Sequence, residues 1–171
     1  HGENKIVHTK NLGLSFDGFN TAFVLFREDY DYWLFTEDDH ELFQDDYFKV
    51  LIDEFDSLSN KNIGFLCLAP IAKSSSHPIH AGGGFGETTT QILSEVYTAN
   101  NNSLPCFQTE KTRTMAEVMF TNSIVKQGYN LINTAKYMLS PVNVEKCADH
   151  YMHFLKNKEN LNLPHLFKVG E

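Results

Sequence analysis

Three consecutive carboxylates, Glu37, Asp38 and Asp39, follow an aromatic and apolar segment (residues 30–35) after a single threonine. The apolar segment is typical of a buried strand, whose end would deliver the three carboxylates to one point. Ligands of open α/β sheets bind at such strand ends. Adjacent carboxylates repel one another unless a cation lies between them, and oxygen ligands favour Mg²⁺, Mn²⁺ or Ca²⁺. The residues alone leave two interpretations open: a divalent-cation site, or an acidic loop that caps the following helix.

Two further patterns carry polar or flexible groups. Thr114-Met-Ala-Glu117 is a capping box at the start of a predicted helix. The segment 82–86, Gly-Gly-Gly-Phe-Gly, allows the backbone to approach a ligand closely or forms an ordinary turn. It is not a P-loop, because the Lys and Ser/Thr of that motif are absent. His77 and His80 precede it in a Ser-rich loop, where they either contact a ligand or are solvated.

The composition limits the class of protein. The chain has 171 residues, 42% of them hydrophobic, which fits one globular domain with a substantial core. The formal net charge of −8 argues against a surface that binds the phosphates of a nucleic acid. No apolar run approaches the roughly 20 residues of a membrane span, and the N-terminus has no signal-peptide pattern. Three widely spaced cysteines predict reduced thiols in a cytoplasmic protein.

The elements that must position these side chains follow from hydrophobic periodicity. Two helices are predicted from apolar stripes, one with Phe16, Phe19, Phe23 and Phe26 and one with Tyr47, Leu51, Phe55 and Leu58. Further helices are predicted at 88–97, 114–128 and 141–156, and strands at 5–9, 30–35, 63–69 and 129–134. Residues 63–69 are apolar almost throughout, as expected of a strand covered on both faces. The alternation of strands and helices predicts an α/β fold with a mostly parallel sheet flanked by helices.

The order of these motifs resembles that of family-two nucleotide-sugar glycosyltransferases, which have the GT-A fold. The segment 11–20, Asn-Leu-Gly-Leu-Ser-Phe-Asp-Gly-Phe-Asn, is similar to an Asn- and Gly-containing segment of that family. The segment 31–39, Asp-Tyr-Trp-Leu-Phe-Thr-Glu-Asp-Asp, then occupies the place of the family's metal motif. The segment 82–86, Glu117 and the pair Gly128-Tyr129 can be laid onto later positions. The resemblance covers roughly residues 4–135.

The resemblance implies a GT-A-like, Rossmann-like domain that moves a sugar, with inversion, from a nucleoside-diphosphate sugar to a carbohydrate or polysaccharide acceptor. It implies a divalent metal, Mn²⁺ or Mg²⁺, bound by Asp39, Asp38 and His150, and a catalytic base at Glu117. Contacts with the donor or acceptor are implied at Asn11, Asn20, Glu37, Asp38, Gly83, Gly84 and His80. The residues alone favour Glu117 as a capping residue, and the resemblance gives the role of base equal weight; the two roles do not exclude each other. His150 lies three residues before His153, where such a pair usually forms the polar shoulder of a helix.

The chain also departs from the family pattern. The first acid of the metal motif is Glu37 rather than Asp, and Glu117 is followed by Val118 where the family often has a Glu-Asp pair. The family begins with further strands that hold the nucleotide, so the resemblance implies that this chain is the central and acceptor-side portion.

We expect one GT-A-like domain over 1–171, with a metal-motif part (1–70), an acceptor-side part (71–135) and a C-terminal helix and tail (136–171). We expect it in the cytoplasm or at the cytoplasmic face of a membrane. Two other functions stay open. One is a catalytically inactive GT-A-like binding module without a donor pocket. The other is a metal-dependent phosphate hydrolase that uses Asp38 and Asp39.

Overall fold

The computed structural model describes residues 6–8, 14–36, 40–42, 46–68, 71–72, 77–106, 113–134 and 167–169. The helices are α1 (Leu14–Phe26), α2 (Tyr47–Ser57), α3 (Thr90–Ala99) and α4 (Arg113–Lys126). The strands are β1 (Tyr32–Phe35), β2 (His40–Leu42), β3 (Ile63–Cys67), β4 (Ile71–Ala72), β5 (His80–Ala81), β6 (Gly86–Thr89), β7 (Asn130–Asn133) and β8 (Phe167–Val169). Within these ranges, no helix is long and apolar enough to cross a membrane.

Four strands form the central sheet, in the order β1–β6–β3–β7. Strand β6 pairs antiparallel with both β1 and β3, whereas β3 and β7 are parallel. Strands β1, β3 and β7 therefore run in one direction, and β6 runs against them. The predicted α/β class with flanking helices is confirmed. The prediction of a mostly parallel sheet is wrong, because two of its three pairings are antiparallel. The two short pairs β2–β8 and β4–β5 are also antiparallel.

An aromatic cluster fills the space between the sheet and helices α1 and α4. Phe35 of β1 and Phe65 of β3 stack with ring centroids 6.5 Å apart. Phe120 of α4 meets the two rings edge-on at 5.0 and 6.0 Å. Phe16 and Phe19 of α1 reach Phe120 at 5.7 and 6.1 Å. Such aromatic pairs contribute about 0.5–1.5 kcal/mol each beyond the area they bury. The cluster therefore binds both helices to the same face of the sheet.

Helix α2 covers the opposite face. Tyr32 contacts Phe55 of α2 with its ring, and it lies three residues before Phe35, so the alternation of side chains along a strand points the two to different faces. The buried stripe predicted for this helix is confirmed for Tyr47, Leu51 and Phe55, which are buried. Leu58, also predicted in the stripe, follows the end of the helix and is half-buried. The sheet is therefore covered on both faces, which explains why every residue of β3 is buried.

Most of the other predicted elements are confirmed with shifted ends. The predicted strands 30–35, 63–69 and 129–134 appear as β1, β3 and β7, and the predicted helix 114–128 appears as α4. The prediction of a helix over 88–97 overlooks β6, whose last residues are Thr88 and Thr89, and α3 begins only at Thr90. The strand predicted at 5–9 is wrong where it can be compared, because residues 6–8 are exposed and outside any regular element. The helix predicted at 141–156 lies outside the described residues.

Candidate functional site

The register of the central sheet aligns one row of residues across its edge. Phe35 pairs with Gly86, Gly86 with Cys67, and Cys67 with Asn133. Because β1, β3 and β7 run in the same direction, this row marks their carboxyl ends and the amino end of β6. We call this edge the carboxyl edge, and such edges are where open α/β sheets bind ligands. The acidic triplet (residues 37–39) follows β1 in the chain, and the glycine segment (residues 82–86) leads into β6.

Five of the predicted site residues, Asn11, Glu37, Asp38, Asp39 and His150, lie outside the described residues. Within the part of the chain that the structure describes, no group of three or more His, Cys, Asp or Glu side chains is arranged to hold a metal ion. The predicted metal site therefore depends on the acidic triplet. It stays a prediction.

The glycine segment is packed into the core below α1. Gly82–Gly84 form a short 3₁₀ turn. Gly84 has a φ of +67°, and a Cβ atom at this position would lie 2.9 Å from the ring of Phe16. A Cβ atom on Gly86 would lie 2.3 Å from the carbonyl oxygen of Leu66 on the neighbouring strand. The group that closely approaches these two glycines is therefore the protein's own core. The predicted approach of a ligand to this segment stays a prediction.

Helix α4 packs against the glycine segment. The hydroxyl of Thr121 accepts a hydrogen bond from the backbone N–H of Ala81 at 2.9 Å. The neighbouring Phe120 contacts Phe35, the last residue of β1. Glu117 precedes these two helix residues by three and four positions, so it lies on the same face of α4. Because α4 runs against β7, which follows it in the chain, its first turns lie toward the carboxyl edge. The half-buried Glu117 is therefore at the end of the sheet where β1 ends.

The start of α4 bears on the alternative role of Glu117. The helix begins at Arg113, so Thr114 is its second residue. A capping box requires the Thr to precede the first helical residue, with the Glu three positions further on. Residues 107–112, which precede Arg113, and the side chain of Thr114 lie outside what the structure describes. Both roles of Glu117, base and capping residue, therefore stay predictions.

Asn20, predicted to contact the donor, has a structural role. Its side-chain oxygen accepts a hydrogen bond from the backbone N–H of the buried Leu104 at 2.8 Å. The hydroxyl of Ser103 donates a longer one, at 3.5 Å, to the same oxygen. These contacts connect α1 to the loop that follows α3. Contact of Asn20 with a ligand stays a prediction, as it does for Gly83 and Gly84.

His80 lies beside the glycine segment, in β5. Its Nδ1 atom is 2.8 Å from the carbonyl oxygen of Pro78, and its ring centroid is 6.4 Å from that of His77. The side-chain amide of Asn122 on α4 donates a hydrogen bond to the carbonyl oxygen of Ile79 at 3.2 Å. Helix α4, which also carries Glu117, therefore holds the segment that contains His80.

Cys67 lies at the carboxyl edge but is a poor nucleophile. Its side chain is 1% exposed. Burial raises the pKa of its thiol. Because the thiolate is the reactive form of cysteine, Cys67 stays an unreactive core residue near neutral pH.

Two carboxylates that the sequence analysis missed are buried between α2 and the sheet. Glu87 of β6 is 2% exposed and Glu54 of α2 is 7% exposed. The hydroxyl of Thr134 donates a hydrogen bond to Glu54 at 2.6 Å. The helical pattern contained a signal for Glu54, because it follows Tyr47 by seven residues and so lies on the predicted buried stripe. The sequence around Glu87 contains no comparable signal. No strand was predicted at β6, so no buried face could be assigned to Glu87.

Burial and nearby acidic groups change the ionisation of Glu87. Burial, followed by the negative charges of Asp56 and Glu54, raises the pKa of Glu87 to about 8. A hydrogen bond that Tyr32 donates to Asp56 at 2.7 Å is the main reason that the pKa of Tyr32 is raised to about 12. Burial, and then the charge of Glu87, raises the pKa of Tyr47. With its pKa raised to about 8, Glu87 is mostly protonated at neutral pH.

A groove of about 540 Å³ lies between α3 and the C-terminal end of α4. It is lined by Gln91, Ser94, Glu95, Thr98, Ala99 and Gln127. Gln127 follows the last residue of α4, whereas Glu117 lies near its first turn. The groove is therefore at the far end of α4 from the carboxyl edge and is not part of the candidate site.

Comparison with known proteins gives no further identification. No family model, no curated protein and no solved structure matches this chain. The candidate site is therefore defined by its own residues and by the geometry of the carboxyl edge.

Proposed function

We propose that this chain is a metal-dependent glycosyltransferase, or the central part of one, that transfers a sugar from a nucleoside diphosphate to a carbohydrate or polysaccharide acceptor. We propose a GT-A-like fold, inversion at the anomeric carbon, and a site at the carboxyl edge. One observation carries the proposal: Glu117, the glycine segment and the end of β1 converge on this edge. The acidic triplet follows β1 in the chain. The proposed base is on a helix that begins toward the end of the sheet where β1 ends, and the proposed metal motif follows β1 in the chain.

The residues present fit a divalent cation. Glu37, Asp38 and Asp39 supply the hard oxygen ligands that Mg²⁺ and Mn²⁺ prefer. We assign Asp39 and Asp38 as ligands, with His150 as a further one, and Glu37 as a group that orients the donor. When bound, the metal neutralises negative charge on the departing diphosphate.

The role of Glu117 follows from the proton that the acceptor hydroxyl must lose. An acceptor hydroxyl must lose its proton as its oxygen attacks the sugar, and a carboxylate within hydrogen-bond distance accepts that proton. Glu117 lies on the face of α4 that also carries Thr121, whose hydroxyl is bonded to the segment containing His80 and the glycines. We assign Glu117 as the base and this segment as one wall of the acceptor site.

A second function is favoured by a different observation. Asn20 uses its side-chain oxygen to hold Leu104, and Gly84 and Gly86 are required by core packing. Contacts within the protein therefore explain the residue types at three positions, Asn20, Gly84 and Gly86, that could otherwise have served a ligand. A GT-A-like interaction module without transferase activity would keep these contacts and need no donor site.

Calorimetric titration separates the two functions. The folded chain is titrated with UDP- and GDP-sugars in the presence of Mn²⁺, with a matched series in which EDTA replaces the metal. The enzyme proposal predicts binding heat for at least one donor that disappears with EDTA. If none of the donors gives heat in the presence of Mn²⁺, the enzyme proposal fails for this chain and the interaction module is left.

A further inference from the structure

Glu87 occupies an unusual position for a carboxylate. It lies on β6, which has a neighbouring strand on each side, and its side chain is 2% exposed. Its Oε2 atom is buried and has no hydrogen-bond partner among the residues that the structure describes. Burying an ionised carboxylate without a partner costs far more than burying a neutral one. The structure therefore suits the neutral form of Glu87 and opposes the charged form.

The described groups near Glu87 on α2 and β1 would not offset a negative charge on its carboxylate. Helix α2 packs against β6 and contributes Glu54, Asp56 and Tyr47. Strand β1 contributes Tyr32, which already donates its hydroxyl to Asp56. Both charged groups that affect the ionisation of Glu87 are acidic. An ionised Glu87 would therefore repel the helix that covers it.

Two side-chain contacts depend on the same packing of α2. The hydrogen bond from Thr134 to Glu54 links α2 to the end of β7, and the one from Tyr32 to Asp56 links it to β1. We propose that Glu87 is a pH-sensitive contact between the sheet and α2. In its neutral form it allows α2 to pack on β6, and in its charged form it repels Glu54 and Asp56 and favours local opening of the helix. This inference is independent of the proposed transferase function.

The direction of the pH effect follows from linkage. In the open state Glu87 ionises with its ordinary pKa of 4.5, whereas in the packed state its pKa is about 8. Between these values the open state has lost a proton that the packed state retains, so opening becomes more favourable as pH rises. The effect is absent below about pH 4.5 and levels off above about pH 8. A difference of one proton changes the opening constant about tenfold per pH unit.

Hydrogen–deuterium exchange of peptides that cover α2 (Tyr47–Ser57) tests the proposal. Exchange is measured at several values between about pH 5 and about pH 9 and corrected for the intrinsic pH dependence of amide exchange. In the unaltered chain, the corrected opening constant of α2 should rise by up to about tenfold per pH unit and then level off. In Glu87→Gln, which cannot ionise, the rise should disappear. A similar rise in both proteins would overturn the proposal.

Two further variants keep the test decisive. Asp53→Asn removes an exposed carboxylate of α2 that pairs with Lys49, and should leave the pH profile of the unaltered chain in place. Glu54→Gln keeps an oxygen acceptor for Thr134 but removes one of the charges that raise the pKa of Glu87, so the profile should level off at a lower pH. If Glu87→Gln does not fold, Glu54→Gln decides the question, and an unchanged profile in that variant contradicts the proposal.

Discussion

The hydroxyl of Thr121 accepts a hydrogen bond from the backbone N–H of Ala81 at 2.9 Å, and both groups are buried. This contact joins α4 to the strand that leads into the glycine segment. It lies one helical turn from Glu117, on the same face of the helix. Thr121 thus fixes the strand before the glycine segment against α4, the helix that carries the proposed base.

Thr121→Val keeps the shape of the side chain and removes the hydroxyl. The buried N–H of Ala81 then has no acceptor, which should destabilise the protein by about 1–3 kcal/mol. Urea denaturation measures this loss. Ser123→Ala is the matched control, because the half-buried Ser123 hydroxyl donates a hydrogen bond to the Met119 carbonyl of its own helix at 2.7 Å. If the two variants lose the same stability, the contact with Ala81 has no special role.

Glu117→Gln tests the assignment of the base. Because the amide cannot accept the acceptor's proton, sugar transfer should fall by about 10²–10⁴-fold, while donor affinity stays the same. Transfer of labelled sugar and calorimetric titration with the donor measure the two quantities separately. Glu28→Gln, at an exposed position after α1, serves as the control. Full turnover in Glu117→Gln would remove Glu117 from the mechanism.

Asp39→Ala tests the metal motif. Removal of a carboxylate ligand should abolish Mn²⁺-dependent donor binding, and the thermal melting curve should stay that of a folded protein because the change adds no buried polar group. Titration with Mn²⁺ alone, and then with donor, measures the effect. Asp53→Asn changes an exposed carboxylate on α2 and should bind Mn²⁺ as before. Undiminished Mn²⁺ affinity in Asp39→Ala would show that the motif has been misassigned.

Gly86→Ala tests the packing of the glycine segment. The added Cβ would lie 2.3 Å from the carbonyl oxygen of Leu66, and the backbone has a φ of +154° that L-residues rarely adopt. We expect a loss of more than about 3 kcal/mol of stability, since neither the backbone nor the rings beside it can move without breaking the sheet. In Gly18→Ala, within α1, the new Cβ meets nothing within 4 Å, and stability should rise by about 0.5–1 kcal/mol. Equal effects of the two changes on the urea midpoint would contradict the packing described here.

Local patterns predicted the parts of this fold that depend on neighbours in the chain. The spacing of Phe16, Phe19 and Phe23 identified the buried face of α1, since a helix repeats every 3.6 residues. The apolar run at 63–69 identified β3 as a strand covered on both faces, since an exposed face would need alternating polar residues. Both predictions depend only on residues a few positions apart.

Local patterns could not predict the boundary between β6 and α3, the direction of β6 or the burial of Glu87. The threonines at 88–90 span the end of β6 and the start of α3, and the side chain of Thr89 accepts a hydrogen bond as the N-cap of that helix. The prediction from periodicity therefore joined the end of β6 and the start of α3 into a single helix. The antiparallel direction of β6 is a relation between strands far apart in the chain, as is the burial of Glu87 under α2. Sequence reasoning places a glutamate at the surface by default, since burial of a charged group is costly.

The position of β6 also bears on how the chain is made. Strands β1 and β3 are both synthesised before β6, yet in the folded sheet β6 lies between them and bonds to each. When synthesis has reached only Leu68, strands β1 and β3 are present but β6, which pairs with both, has not yet been made. Their unpaired edges must be shielded until Thr89 emerges, because exposed strand edges pair with other chains. Interrupted synthesis in this interval should yield aggregation-prone fragments rather than a smaller folded unit.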